Sequence, residues 1–217
     1  YENVSGTWTK IGADIDGEDA GDQSGRSVSL SSDGSTVAIG APFNDGNGSL
    51  SGHVRIYEND NGTWTQLGAD IDGEAVSDQS GRSVSLSSDG STVAIGAPSN
   101  DGNGSLAGHV RIYENVSGTW TKIGADIDGE ATGDYSGNSV SLSSDGSTVA
   151  IGASGNDGNG TDAGHVRIYE NVSGTWTQIG ADIDGEGASD QSGYSVSLSS
   201  DGSTVAIGAA WNDGNGS

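Results

Sequence analysis

Cysteine and methionine are absent from the 217 residues, and phenylalanine occurs only once. The absence of cysteine excludes disulfide bonds and any thiolate that could act as a nucleophile or a metal ligand. No apolar run of 18 residues is present, so we expect no insertion into a membrane. No signal peptide is visible either. Because methionine is absent, residue 1 is not an initiator, and we expect a processed product or an excerpt of a longer chain.

Positive charge is scarce as well. Seven Lys and Arg residues stand against 31 Asp and Glu residues, for a formal net charge of −24. Such a surface repels phosphate groups, which argues against a nucleic-acid partner. Both a solvated acidic surface and cation binding account for the charge. Hydrophobic residues make up 31%, a low value that is also typical of disordered chains. Regular alternation of β-branched residues nevertheless predicts a folded all-β protein.

That alternation occurs in a segment that is present four times in the chain. In residues 24–41, two runs of alternating apolar and small residues flank Asp33-Gly34, which predicts a β-hairpin with a tight primed turn. The segment recurs at residues 80–97, 136–153 and 192–209. Matching tyrosines are 56 residues apart, and a period of this length indicates repeated supersecondary units that share their cores.

Four strands are predicted in each copy, which is the content of a β-propeller blade. We predict four-stranded antiparallel blades in four copies, with Val28, Leu30, Val37 and Ile39 on one face. Val54 and Ile56 of the third strand are assigned to that same face. The alternative is a calcium-loaded β-solenoid, suggested by the run Asn44-Asp45-Gly46-Asn47-Gly48, although its nine-residue repeat stops after one unit.

The repeated motif resembles the FG-GAP repeat of integrin α-subunit propellers and of many bacterial and algal surface proteins. Gly25 matches the first glycine, with Ser24 in place of Phe, and Gly40-Ala41-Pro42 matches the second element. Ser154 and Ala210 replace the proline in the last two copies. The resemblance implies propeller blades and a non-enzymatic extracellular module for adhesion. Members of that family often bind calcium in a loop between the two inner strands. The corresponding connection here, residues 32–35, is too short to supply the six to eight oxygen ligands of calcium, so this family site is not assigned to the chain.

The array is predicted to extend over residues 1–217 as one unit. The predicted blades are residues 18–73, 74–129 and 130–185. Two incomplete blade parts are predicted at the ends of the chain. Residues 186–217 form inner strands, and residues 1–17 form an outer strand. We expect the natural parent to supply Gly-His-Val-Arg-Ile before Tyr1 and another copy after Ser217.

The copies differ mainly in two loops, which the predicted topology places at one rim of the array. Four aromatic residues occur there: Phe43, Tyr135, Tyr194 and Trp211. Exposed aromatics on a rim are anchors for a protein or a glycan, and the alternative is drift in loops under little constraint. Partners of the module are therefore expected to be a protein or glycan at a surface, further repeats, or copies of the chain itself.

The same rim carries many carboxylates at alternating positions, which suits calcium as a hard cation. The possible calcium ligands are Asp14, Asp16, Glu18, Asp22, Asp70, Asp72, Glu74, Asp78, Asp126, Asp128, Glu130, Asp134, Asp182, Asp184, Glu186 and Asp190. The alternative is that Asp and Asn side chains cap turns. No other cofactor is indicated.

The remaining motifs suggest no catalysis. One histidine per copy, at His53, His109 and His165, is interpreted as a packing or hydrogen-bonding residue, and no catalytic residue is assigned. The glycosylation signal Asn-x-Ser/Thr occurs at Asn3, Asn47, Asn61, Asn103, Asn115, Asn159, Asn171 and Asn215. Duplication of a repeat rich in Asn and Ser explains that number equally well. The leading hypothesis is an adhesion module, with a glycan-binding lectin as the alternative and a structural spacer as the third class.

Overall fold

The computed structural model describes residues 1–214, and in that range the chain forms nineteen β-strands and no helix. Two-stranded sheets stand at either end, and three five-stranded sheets lie between them. The end sheets contain β1 (Glu2–Val4) with β2 (Thr7–Thr9) and β18 (Ser192–Leu198) with β19 (Val205–Ala209).

The three complete sheets share one topology, in which the chain runs from the inner strand outward and a two-residue strand then pairs with the third. The first contains β3 (Ser27–Leu30), β4 (Thr36–Ala41), β5 (His53–Asp60), β6 (Thr63–Gln66) and β7 (Ile71–Asp72). The second contains β8 (Ser83–Leu86), β9 (Thr92–Ala97), β10 (His109–Val116), β11 (Thr119–Lys122) and β12 (Ile127–Asp128). The third contains β13 (Ser136–Leu142), β14 (Thr148–Ala153), β15 (His165–Val172), β16 (Thr175–Gln178) and β17 (Ile183–Asp184).

The pairing of these strands decides between the two predicted folds. Neighbouring strands of every sheet in residues 1–214 are antiparallel. A solenoid would align its strands in parallel, so the solenoid alternative is wrong and the prediction of propeller-type antiparallel blades is confirmed. The hairpin turn differs in detail from the prediction. Five residues, 31–35, lie between β3 and β4, and of Asp33 and Gly34 only Gly34 has a positive φ, of 75°.

The faces of the third strand are the reverse of the sequence prediction. Ile39 pairs with Arg55, and Ala38 pairs with Ile56. Directly paired residues share a face, so Val54 and Ile56 lie on the face of Ala38, opposite to Ile39. A strand register that is offset by one residue moves all its side chains to the other face. Each sheet therefore has apolar residues on both faces.

The core lies between successive sheets. Between the first and second it consists of Ala38, Val54, Ile56 and Ile71 facing Val84, Leu86, Val93 and Ile95. Between the second and third it consists of Ala94, Val110, Ile112 and Ile127 facing Val140, Leu142, Val149, Ile151 and Tyr169. Full burial of such a side chain contributes about 1.5–3 kcal/mol. The small side chains of one inner strand thus face the large side chains of the next sheet, which fills the space between sheets.

Motif glycines set how closely the inner strands approach. A Cβ added to Gly96 would overlap the carbonyl oxygen of Gly137 in the next sheet, and Gly40 has the same relation to Gly81. Ser83 Oγ donates to that Gly137 oxygen at 2.8 Å. The two glycines of the repeat motif are therefore contacts between blades, with a serine hydroxyl satisfying the carbonyl.

Val28 and Leu30 of the first inner strand are 64% and 58% exposed, whereas the equivalent Val84 and Leu86 are 9% and 7% exposed. The difference arises because a preceding sheet covers β8, and in the described chain none covers β3. Residues 1–214 also contain no helix that is long and apolar enough to cross a membrane.

Candidate functional site

The two loops that vary among the copies lie side by side. The backbone amide of Phe43 donates to the carbonyl of Asp22, and those of Ser99, Gly155 and Trp211 donate to Asp78, Asp134 and Asp190, at 3.1–3.3 Å. We define the variable rim as positions 19–21, 23, 26 and 43 and their equivalents in the later copies. We call the turn segments at residues 3–6 and 32–35 and their equivalents the constant turns, because they barely change among the copies. They are bonded to each other at the other end of each sheet, for example Asn115 N to Ser91 O at 2.8 Å.

Tyr135 has the most constrained backbone among the rim aromatics. It adopts a φ of 54°, and the residues at this position in the other copies, Gln23, Gln79 and Gln191, have φ of 52–56°. Non-glycine residues adopt this left-handed conformation rarely, and it clusters at functional sites. The ring lies beside Gly155, where an added Cβ would overlap the Gly133 carbonyl oxygen and come within 2.8 Å of Tyr135 Cδ2. Both the backbone of Gly133 and the tyrosine ring therefore leave room only for glycine at position 155.

A cleft of about 330 Å³ opens beside this ring. Polar groups line most of it: Gln79, Arg82, Ser99, Asn138, Asp162 and Gln191 lie around Tyr135, with Pro98, Ser154 and Gly155. Amide, guanidinium and hydroxyl groups next to an aromatic ring form a surface that can hydrogen-bond and stack at the same time. Arg82, Tyr135, Asn138 and Gly155 are all rim positions that differ among the copies.

The other predicted aromatics are distributed along the rim. Tyr194 is 50% exposed, and its carbonyl accepts a hydrogen bond from Asn138 Nδ2 at 3.3 Å. Trp211 is 68% exposed, and Phe43 is half-buried. Tyr135 and Asn138 therefore share the cleft, while Phe43 and Trp211 lie outside its lining.

The last carboxylate of each acidic loop caps turns. Asp78 is buried, and its Oδ2 accepts from Ala75 N at 2.9 Å and from Asn100 Nδ2 at 3.0 Å. Asp22, Asp134 and Asp190 are buried in the same position and accept comparable bonds. These four residues serve the capping role that was the alternative to calcium binding.

The earlier carboxylates of each loop point in different directions. Asp14 pairs with Lys10 at 2.7 Å, while the exposed Asp16 offers its carbonyl to Arg55 Nη2 at 2.7 Å. Asp72 and Asp128 repeat the carbonyl contact with the next arginines, and Asp184 is exposed, as is Glu186. In residues 1–214, no group of metal-capable ligand atoms within 4.8 Å of one another consists of four carboxylates from one loop. The calcium ligands stay a prediction.

What the structure does bring together is a histidine with carboxylates from two successive loops. The three groups are Glu18, His53 and Asp70; Glu74, His109 and Asp126; and Glu130, His165 and Asp182. We call them the first, second and third histidine clusters. In the first cluster, His53 Nδ1 lies 3.8 Å from Glu18 Oε2 and 3.6 Å from Asp70 Oδ2. In the third, His165 Nδ1 lies 3.9 Å from Glu130 Oε2 and 3.8 Å from Asp182 Oδ2.

Burial and charge act on these histidines together. Each is 1% exposed, and burial lowers the pKa of His109 and of His165 below the usual range, with Arg111 and Arg167 acting in the same direction. Each arginine also lies over a tyrosine ring on its own strand, with Arg167 Cζ 5.6 Å from the centroid of Tyr169. Desolvation favours the uncharged imidazole, which offers a lone pair on one ring nitrogen.

The sequence did not predict these clusters. One histidine every 56 residues suggested packing, and each histidine is indeed buried in the array. The carboxylates come from positions 35 residues before and 17 residues after His53. Pairing of the short strand β7 with β5 brings Asp70 beside the histidine, and the loop before the sheet supplies Glu18. The recurrence of the Glu, His and Asp at one fixed spacing in three copies was the available signal.

The predicted glycosylation sites lie in loops or near strand ends. In three of them, Asn47, Asn103 and Asn159, the side chain is exposed and Nδ2 donates to the carbonyl of Gly73, Gly129 or Gly185 at 2.7 Å. Asn61 lies in a turn, whereas Asn3, Asn115 and Asn171 lie near the ends of β1, β10 and β15 and accept a hydrogen bond from the glycine amide three residues on. Asn215 lies outside the described residues.

Antiparallel sheets that pack face to face in sequence, each complete one with four main strands and a two-residue fifth, define an all-β protein of the β-propeller type. The family model for the FG-GAP repeat matches residues 9–57 and 121–169. These two stretches thus match the FG-GAP repeat, as the motif residues predicted.

Solved structures show the same architecture. The chain is similar to hydrazine synthase from Kuenenia stuttgartiensis, with 17% identity, a TM-score of 0.54, and coverage of 94% of this chain and 44% of that one. It is also similar to a "putative 6-phosphogluconolactonase" from Bacteroides uniformis ATCC 8492, with 14% identity, a TM-score of 0.56, and coverage of 84% and 49%. The chain thus spans less than half the length of these two structures, and identities this low show the fold alone. No curated protein matches it.

Proposed function

We propose that the chain is a non-enzymatic structural and adhesion module of an extracellular or cell-surface protein, which binds a partner through the variable rim. The observation that supports this function is the separation of constant and variable residues. Contacts between sheets repeat in each copy, whereas the differences gather in two adjoining loops around the cleft at Tyr135. FG-GAP repeats are typical of extracellular and surface proteins.

Tyr135 and Gly155 lie side by side in the cleft, and both differ from the residues of the other copies. An added Cβ at position 155 would meet the Gly133 carbonyl oxygen as well as the tyrosine ring. The third copy therefore presents a cleft of its own at the rim, which supports a surface shaped for a ligand.

A glycan-binding lectin is the second candidate function. The cleft supports it because the ring of Tyr135 lies among the amides of Gln79, Asn138 and Gln191 and the guanidinium of Arg82. Sugars present hydroxyl groups for such donors and acceptors and an apolar face for an aromatic ring.

Substitutions copied from the other repeats test the rim with little strain. Tyr135→Gln, Tyr194→Arg and Trp211→Ser each install the residue of an equivalent position, and Gln is already tolerated at the positive φ. We expect beads coated with the native chain to adhere to cells or matrix, and the triple variant to lose most of that adhesion. The control is Val172→Asp, which copies Asp60 into the constant turn at the other end and should leave adhesion unchanged.

A glycan array run with the same variants separates the two functions. Saturable binding that Tyr135→Gln abolishes supports the lectin, and adhesion without glycan binding supports a protein partner. Equal adhesion of the native chain and the triple variant would contradict a rim-binding function, and the structural spacer would remain as the function.

A further inference from the structure

We propose that the first and third histidine clusters each bind one divalent transition-metal ion such as Zn²⁺, whereas a lysine in place of the glutamine beside the aspartate disfavours an ion in the second cluster. This inference is independent of the proposed function. It concerns ions with affinity for an imidazole nitrogen, and calcium, which prefers oxygen ligands, is a different class.

The ligand atoms are arranged around a gap. His165 is 1% exposed, and its Nδ1 has no hydrogen-bond partner, although two carboxylate oxygens face it at 3.8 and 3.9 Å. Those distances exceed a hydrogen bond. Zinc bound tetrahedrally at about 2.0–2.2 Å places its ligand atoms roughly 3.4 Å apart. The two distances from the histidine nitrogen to the carboxylate oxygens therefore need to shorten by only a few tenths of an ångström, and all three atoms already lie within 4.8 Å of one another.

Each carboxylate is already oriented by a partner on its other oxygen. Arg167 Nη1 lies 3.6 Å from Glu130 Oε1, which leaves Oε2 toward the histidine. Gln178 Nε2 donates to Asp182 Oδ1 at 2.6 Å, which leaves Oδ2 toward the histidine. Groups that fix a ligand in this way commonly contribute roughly 10–100-fold to metal affinity. The first cluster repeats the arrangement with Arg55 and Gln66.

The second cluster differs at one position. Lys122 replaces the glutamine, and its ammonium lies 2.6 Å from Asp126 Oδ1. Arg111 Nη1 lies 3.2 Å from Glu74 Oε1, which is closer than the equivalent pairs of the other two clusters. His109 Nδ1 has one carboxylate oxygen within 4 Å, Asp126 Oδ2 at 3.9 Å, instead of two. A resident positive charge repels a divalent cation and already neutralises the aspartate.

The sites are accessible to an ion from solvent. Glu18 and Glu130 side chains are 46% and 45% exposed, and those of Asp70 and Asp182 are 28% and 30% exposed. An ion there would join the loop before each sheet to the loop after it. The open side leaves room for a water molecule as the fourth ligand.

Equilibrium dialysis of the 217-residue chain against Zn²⁺ tests the proposal. The buffer contains millimolar Ca²⁺, which saturates weak carboxylate sites, and the chain is first stripped with a chelator. We expect two tightly bound ions per chain, measured by elemental analysis. His53→Gln and His165→Gln should each remove one ion, and the matched His109→Gln should remove none. With Co²⁺ as the probe, each lost site should remove part of the visible absorption.

Variants at the neighbouring surface position keep the test valid if a histidine variant does not fold. Gln178→Lys should weaken the third site by roughly 10–100-fold, and Lys122→Gln should add a third ion. The absence of tightly bound Zn²⁺ in the presence of Ca²⁺ would overturn the proposal. So would a stoichiometry that is unchanged by His53→Gln and His165→Gln, or a loss in His109→Gln equal to theirs.

Discussion

At the scale of single residues, the aspartate of each hairpin turn holds the turn together by accepting hydrogen bonds from neighbouring serines. Asp145 Oδ1 accepts from Ser147 N at 3.0 Å and from the hydroxyls of Ser143 and Ser147 at 2.7 Å. These bonds favour the ionised form, and they lower the pKa of Asp145, with the backbone bond from Ser147 as the largest cause. The same bonds hold the pKa of Asp33 and Asp201 at about 2.

A pH dependence of stability follows from these aspartates. Their folded pKa lies below the unfolded value near 3.9, so their contribution is complete above that value. It is lost as the pH falls toward about 2, the pKa of folded Asp33 and Asp201. We expect Asp145→Asn to narrow the difference in unfolding free energy between pH 6 and pH 2.5, measured with urea. The asparagine oxygen still accepts the bonds but carries no charge to titrate.

A second substitution controls for the local environment of that residue. Ser147→Ala removes one hydroxyl donor and should raise the pKa of Asp145 while leaving that of Asp33 unchanged, as followed by NMR titration. An unchanged titration of Asp145 would contradict the role of the hydrogen bonds.

At the scale of elements, the sequence predicted the strands better than their faces. Alternation around Asp33-Gly34 located β3 and β4 correctly, because period-two burial is a local property of each strand. Val54 and Ile56 were assigned to the wrong face, because the relative register of two strands depends on the connecting loop between residues 42 and 52. That loop is long, and no turn type fixes its geometry from sequence alone.

Gly96 tests the close approach of the inner strands. Gly96→Ala places a Cβ against the carbonyl of Gly137, and overpacking of this kind costs about 1–3 kcal/mol. A domain of this size loses roughly 2–4 °C in melting temperature for each kcal/mol. We expect calorimetry to show a decrease of about 2–12 °C.

Gly187→Ala is the matched control, since an added Cβ there meets only the Asp190 carboxylate, at 3.7 Å. Ala75 and Ala131 occupy the equivalent positions, so its melting temperature should be unchanged or slightly higher. A similar decrease in both variants would contradict contact with Gly137 as the cause of the effect.

At the scale of the whole molecule, the candidate sites were partly predictable. The rim could be located, since antiparallel connectivity puts alternate loops at one end. The histidine clusters could not, because Glu18 and Asp70 reach His53 from loops on either side of a sheet. Their proximity depends on the pairing of the two-residue strand β7 with β5 and on the path of the loop before the sheet, and neither has a signal in the sequence pattern of one repeat.

The net charge of −24 makes the whole array sensitive to cations. Like charges destabilise a compact state, and general screening by salt has to be separated from specific binding. The comparison is therefore between Ca²⁺ and a chelator at fixed ionic strength. Binding to the native state alone at 100 times Kd adds about 2.7 kcal/mol, which corresponds to roughly 5–11 °C in melting temperature.

We expect calcium to raise the melting temperature under these conditions through the exposed rim carboxylates Asp16, Asp72, Asp128 and Asp184 and their neighbours. Because those groups do not include an imidazole, the double variant His53→Gln and His165→Gln should keep the calcium effect while it loses the effect of zinc. Calorimetry on both proteins separates the two ions. Melting curves of the native chain that coincide in calcium and in chelator would rule out the calcium sites and leave the carboxylates as turn caps and solvated charge.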